Sequence, residues 1–130
     1  MYPEELRYTK THEWVKVTGT LARIGITAFA AEELGAVVGV DLPRPGKELK
    51  CGEPLADLDS MKTAEQIFAP VSGRVLDVNG DLKTAPELIN DDPYGEGWIA
   101  AIEMSDPSEL ERLMDAGRYA AFVEEVRDKK

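Results

Sequence analysis

Glycine and proline punctuation limits this chain more than any other feature. Turn signals stand at Gly19, Gly35, Pro43-Arg44-Pro45-Gly46, Cys51-Gly52, Ser72-Gly73 and Asn79-Gly80. They cut the first hundred residues into pieces mostly too short for stable helices, and the pieces are rich in β-branched and alternating apolar residues. Tyr8 to Val17 reads as an opening strand and Leu21 to Ile26 as its return. Thr27 is placed to cap a short helix from Ala28 to Leu34, stopped by Gly35. Ala36 to Leu42 is a β-branched strand. Val71 to Asn79 and Trp98 to Met104 are further strands, with one helical turn or loop near Pro86 to Asn90.

After Met104 the period changes. Asp106-Pro107-Ser108-Glu109 has the cap, proline and glutamate of a helix start, with Leu110, Leu113 and Met114 on one stripe and Gly117 as its end. Tyr119, Phe122, Val123 and Val126 mark a second helix. The pattern predicts one domain over residues 1–130. A β-sandwich or barrel-like body spans about residues 8–104, and a helical appendage covers 106–127.

The central hairpin carries the functional signal. Glu53 to Leu58 and Glu65 to Ala69 read as two strands joined at Asp59-Ser60-Met61-Lys62-Thr63-Ala64, with Lys62 at the tip. Taken alone, Lys62 is an ordinary surface lysine. At a hairpin tip, however, its stem is expected to project into solvent and pack against nothing. That arrangement adds little stability but offers an amine to a modifying enzyme.

The rest of the chain lacks catalytic equipment. Cys51 is the only cysteine and His12 the only histidine, which leaves no internal disulfide and no Cys-based metal site. No Gly-x-Ser-x-Gly elbow, phosphate-cradling loop or carboxylate dyad stands out. The net charge of −10 argues against nucleic acid and anionic membranes as partners. No apolar run is long enough to span a bilayer and the start has no signal-peptide core, so the expectation is a cytoplasmic protein, or the mature form of a mitochondrial one in a eukaryote.

Several separated blocks, in order, resemble the H-protein family of the glycine cleavage system. They are Tyr8 to Val15 with its His12-Glu13-Trp14, Ile24 to Thr27, Glu33-Leu34-Gly35, Leu42-Pro43, Asp59-Ser60-Met61-Lys62, Ala69 to Gly73, Pro86 to Asn90, and Asp92 to Trp98. The resemblance implies a mainly β barrel-sandwich hybrid of the lipoyl and biotinyl carrier kind, with the short helix and two C-terminal helices. It implies lipoate in amide linkage on Lys62, presented by the turn residues Asp59, Ser60 and Met61, on a carrier that is not itself an enzyme. The implied partners are a lipoate-attaching enzyme, a glycine decarboxylase (P-protein), an aminomethyltransferase (T-protein) and a dihydrolipoyl dehydrogenase (L-protein). It further implies an arm-protecting cleft lined by Thr11, Glu13, Ile26, Glu33 and Gln66, in which a carboxylate pairs with a cationic aminomethyl cargo.

The chain departs from the family pattern around that site. The family turn most often reads Glu-Ser-Val-Lys. Acidic residues are usual where Ala28 and Gln66 stand, and Asp57 occupies a commonly apolar strand position. These departures keep a second reading open, an H-like lipoyl carrier serving sulfur oxidation or redox chemistry. A biotin carrier is a further alternative, since Met61 precedes the lysine. Biotin carriers typically have methionine on both sides, however, and here Thr63 follows. A binding module without a prosthetic group would have no need of Lys62 and Ser60.

Overall fold

The computed structural model describes residues 2–128. Its strands are β1 (Arg7–Tyr8), β2 (Glu13–Thr18), β3 (Leu21–Ile26), β4 (Val37–Asp41), β5 (Glu48–Leu49), β6 (Pro54–Ser60), β7 (Ala64–Phe68), β8 (Gly73–Val78) and β9 (Ala100–Met104). Its α-helices are α1 (Ala28–Leu34), the single turn α2 (Leu88–Asp91) and α3 (Ala116–Asp128). The strands form a six-stranded sheet ordered β1-β2-β3-β9-β8-β5 and a three-stranded sheet ordered β4-β6-β7. Every strand pair is antiparallel, and among the described residues neither sheet closes into a barrel.

The alternation seen in the sequence becomes the core between these sheets. Val15, Ile24, Leu58, Val75 and Ile102 are fully buried there. Removing such side chains from water is the main driving force, at about 1.5–3 kcal/mol each. A second cluster of Leu6, Tyr8, Trp14, Phe29, Tyr119 and Val123 fastens α3 to the body. Gly25 lies opposite Trp14 across the β2–β3 ladder, and a Cβ there would come within 2.6 Å of the indole, so only glycine fits.

Helix α1 forms as its sequence predicts. Thr27 Oγ1 accepts from Ala30 N–H, and Gly35 takes a φ of 81° and donates its N–H to Ala31 O.

Other elements differ from the sequence expectation. The opening strand is broken in two. His12 adopts a φ of 71° and the chain turns between Tyr8 and Glu13, which puts β1 antiparallel to β2. The two later strands start at Gly73 and Ala100, each two residues after the expected start. Asn79-Gly80 does not close a tight hairpin. Asn79 instead caps a 3-10 turn over Gly80–Lys83, accepting from Asp81 N–H. The first C-terminal helix is only a 3-10 segment over Pro107–Arg112. Gly117, expected to end it, lies inside the first turn of α3, where helix N–H groups need no intrahelical partner.

Candidate functional site

Strands β6 and β7 form the central hairpin, and Ser60 builds its tip. Ser60 N–H donates to Thr63 O at 2.8 Å, and Ser60 Oγ donates to the same carbonyl at 3.1 Å. The same Oγ accepts the backbone N–H groups of Lys62 and Thr63 at 3.3 and 3.1 Å. One hydroxyl thus satisfies the donors of the two tip residues and fixes the turn. Met61 N–H donates to Ala36 O at 3.0 Å, tying the tip to the chain just before β4, while the Met61 side chain remains 77% exposed. Asp59, one residue before Ser60, pairs with Ala64 and lays its carboxylate over Gly39.

Lys62 is exposed, as expected, but its stem does not stand clear of the protein. It lies over Gly35, where a Cβ would meet Lys62 Cε at 3.3 Å. Asn90 holds that floor. Its side chain donates to Gly35 O at 2.8 Å and accepts Val37 N–H at 2.9 Å. The helical-turn block around Asn90 is visible in the sequence, but its support of Gly35 is not, because 55 residues separate them.

Beside the tip opens a cleft of about 320 Å³. Thr11, Ile26, Glu33 and Gln66 all line it, brought together from the β1–β2 turn, β3, α1 and β7. Thr63, next to Lys62, lines it too, so the cleft begins at the root of the lysine. His12, Phe29, Glu65 and Val126 complete much of the wall. The sequence reading missed these four. Glu65 follows the tip directly, whereas His12, Phe29 and Val126 meet only through folding.

Glu13 is placed differently. It is 1% exposed and does not line this cleft. Its Oε1 accepts the hydroxyls of Thr9 and Thr11, both at 2.5 Å, and its Oε2 accepts Phe68 N–H at 3.3 Å. Burial pushes this carboxyl above its ordinary value, and the hydrogen bonds from Thr11, Thr9 and Phe68 oppose that shift. The residue therefore ties β2 to β7 and anchors Thr11 from behind the wall. A larger open cavity of about 770 Å³ beside Cys51 and Glu109 contains none of the residues predicted for the site.

The family model described as Glycine cleavage H-protein matches residues 6–126. A Glycine cleavage system H protein of Coprothermobacter proteolyticus is 55% identical over 94% of this chain and 97% of its own length. The corresponding protein of Bacillus subtilis is 48% identical over 95% of this chain and 97% of its own. The crystal structure of a glycine cleavage system H protein from Mycobacterium marinum superposes with a TM-score of 0.85 at 34% identity, covering 92% of this chain and 97% of that one. With the blocks that carry the resemblance lying within the matched span, the chain belongs to the glycine cleavage H-protein family.

Proposed function

We propose that this protein is the lipoyl-carrying shuttle of a glycine cleavage system, with the lipoyl group in amide linkage to Lys62 Nζ. The observation that carries the proposal is the pairing of a fixed, exposed lysine with a cleft that begins beside it. The residues fit such a group. The amine is accessible, its stem is supported by Gly35, and the adjoining cleft has an apolar side (Ile26, Phe29, Leu34) and an acidic one (Glu33, Glu65).

When attached, the lipoyl group would supply dithiolane group-transfer and redox chemistry, suited to receiving an aminomethyl group from a glycine decarboxylase, passing it to an aminomethyltransferase, and being restored by a dihydrolipoyl dehydrogenase. The chain's own residues present, shelter and release. Ser60 keeps the tip in the shape a lipoate-attaching enzyme meets. Glu33 and Glu65 give the cleft negative charge, which attracts a cationic cargo. Tethering keeps the cargo at high local concentration at each partner and out of bulk solvent. Among the described residues no group of His, Cys, Asp and Glu could hold a metal ion, and no helix is long and apolar enough to cross a membrane.

The test is lipoylation of Lys62 followed by incubation with glycine and a glycine decarboxylase. A mass gain equal to glycine less carbon dioxide on the lipoylated protein (an aminomethyl group on one sulfur and a hydrogen on the other), absent from Lys62→Ala, supports the proposal. A lipoylated protein that gains no mass would point to a lipoyl carrier of another pathway.

A further inference from the structure

A buried chain of hydroxyls reaches the cleft wall from α3. Tyr119 is fully buried, and its hydroxyl lies 2.7 Å from Thr27 Oγ1 and 2.8 Å from His12 Nδ1. Thr27 is also fully buried, and among the described residues its Oγ1 has two hydrogen-bond partners, Ala30 N and the Tyr119 hydroxyl. Ala30 N–H can only donate. The buried Thr27 hydroxyl proton therefore has one acceptor, the Tyr119 oxygen, and leaving it unused would strand a buried donor. Tyr119 keeps its own proton, since burial pushes the phenol far up. With its oxygen receiving from Thr27, Tyr119 donates that proton to His12 Nδ1.

We infer that Tyr119 is a positioning residue for the arm cleft: oriented by Thr27, it fixes His12 at the cleft wall as the neutral imidazole with its proton on Nε2. Protonating Nδ1 would set two donors against each other at 2.8 Å and reverse the chain back to Thr27. His12 is also held by its surroundings. Its backbone carbonyl accepts Thr27 N–H at 3.0 Å, and its ring contacts Phe29 and Phe122 at centroid distances of 4.9 and 5.8 Å. Among the described residues, charged groups near it include Glu33 of α1 and Glu65 of β7 in the same cleft, and Arg127 of α3 over the Phe29 ring. A neutral His12 adds no positive charge of its own to the wall that carries Glu33 and Glu65, which suits a cationic cargo. This consequence rests on the proposed shuttle function, whereas the tautomer does not.

The chain has a single histidine, so long-range proton–nitrogen NMR of the ¹⁵N-labelled protein, without any lipoyl group, reads the tautomer directly. The expected spectrum at neutral pH shows Nδ1 bare and Nε2 protonated. Tyr119→Phe keeps the ring stacked on Tyr8 but removes the donor, and is expected to give a mixture of tautomers. Thr27→Ser, which retains the hydroxyl, is expected to keep the wild-type spectrum. In protein lipoylated in vitro and checked by mass, Tyr119→Phe is expected to shorten the lifetime of the aminomethyl-loaded form about 3- to 10-fold, the effect of one hydrogen bond. A protonated Nδ1 in the wild type, an unchanged spectrum in Tyr119→Phe, or an unchanged lifetime in that variant overturns the inference. Failure of the protein to accept lipoate overturns the shuttle proposal and leaves the tautomer result standing.

Discussion

The stem of Lys62 lies across Gly35, the residue that ends α1, at a distance that a single added methyl group would reduce to 3.3 Å. Gly35 has φ 81° and ψ −165°, a region open essentially to glycine alone. Gly35→Ala is therefore expected to cost about 1–3 kcal/mol in chemical denaturation. It is also expected to slow lipoylation by displacing the Lys62 stem. A variant of unchanged stability would show that this floor has no structural role. Lys62→Ala removes only an exposed stem contact and is expected to stay within about 0.5 kcal/mol of wild type while losing all modification.

Ser60 is expected to matter for presentation more than for stability. Ser60→Ala removes the acceptor of two tip N–H groups and one donor bond to Thr63 O. The tip is exposed and water can replace these partners, so the stability loss is expected at about 1 kcal/mol. Steady-state kinetics with a lipoate-attaching enzyme are expected to show slower attachment than to wild type, because the turn samples more conformations. Equal rates would remove Ser60 from the presentation argument.

Glu13 gives a pH signature whose sign is fixed by its burial. Its carboxyl is raised above the ordinary value of 4.5, so the folded state holds the proton more tightly than the unfolded chain. The stability this group contributes is full below pH 4.5 and is lost as pH rises through the elevated folded value. Denaturation of wild type and Glu13→Gln across that window is expected to show the wild-type advantage shrinking as pH rises. An advantage that grows with pH would mean that the hydrogen bonds from Thr9, Thr11 and Phe68 outweigh desolvation. Glu13→Ala, which leaves those three donors without their acceptor, is expected to cost about 1–3 kcal/mol at low pH, and less as pH rises.

Gln66 separates the two pathways open to a lipoyl carrier. It lines the cleft near Glu33 and Glu65 and carries no charge. If the cargo is a cationic aminomethyl group, Gln66→Asp is expected to lengthen the lifetime of the loaded protein, and Glu33→Gln to shorten it. A sulfur or electron cargo has no such charge, and its retention would not follow these changes in that order.

The lysine hairpin and α1 were legible because their signals are local. Ser60, Lys62, Thr27 and Gly35 each act within a few residues of chain. The break in the opening strand was not, because a positive φ at His12 carries no glycine to announce it. Gly117 misled for the opposite reason: glycine commonly follows a helix, yet here it sits in the first turn of one. The cleft was legible only through family resemblance, since Thr11 and Gln66 share a wall by sheet packing. Even the resemblance does not show that Glu13 stands behind that wall, or that Tyr119 reaches Thr27 across 92 residues.

The most direct test of the whole account is the intact mass of the protein purified from its own host, with the modified residue mapped by peptide sequencing. The expected mass is that of the chain with one lipoyl amide, located on Lys62. An unmodified Lys62, or a biotinyl group in its place, would contradict it.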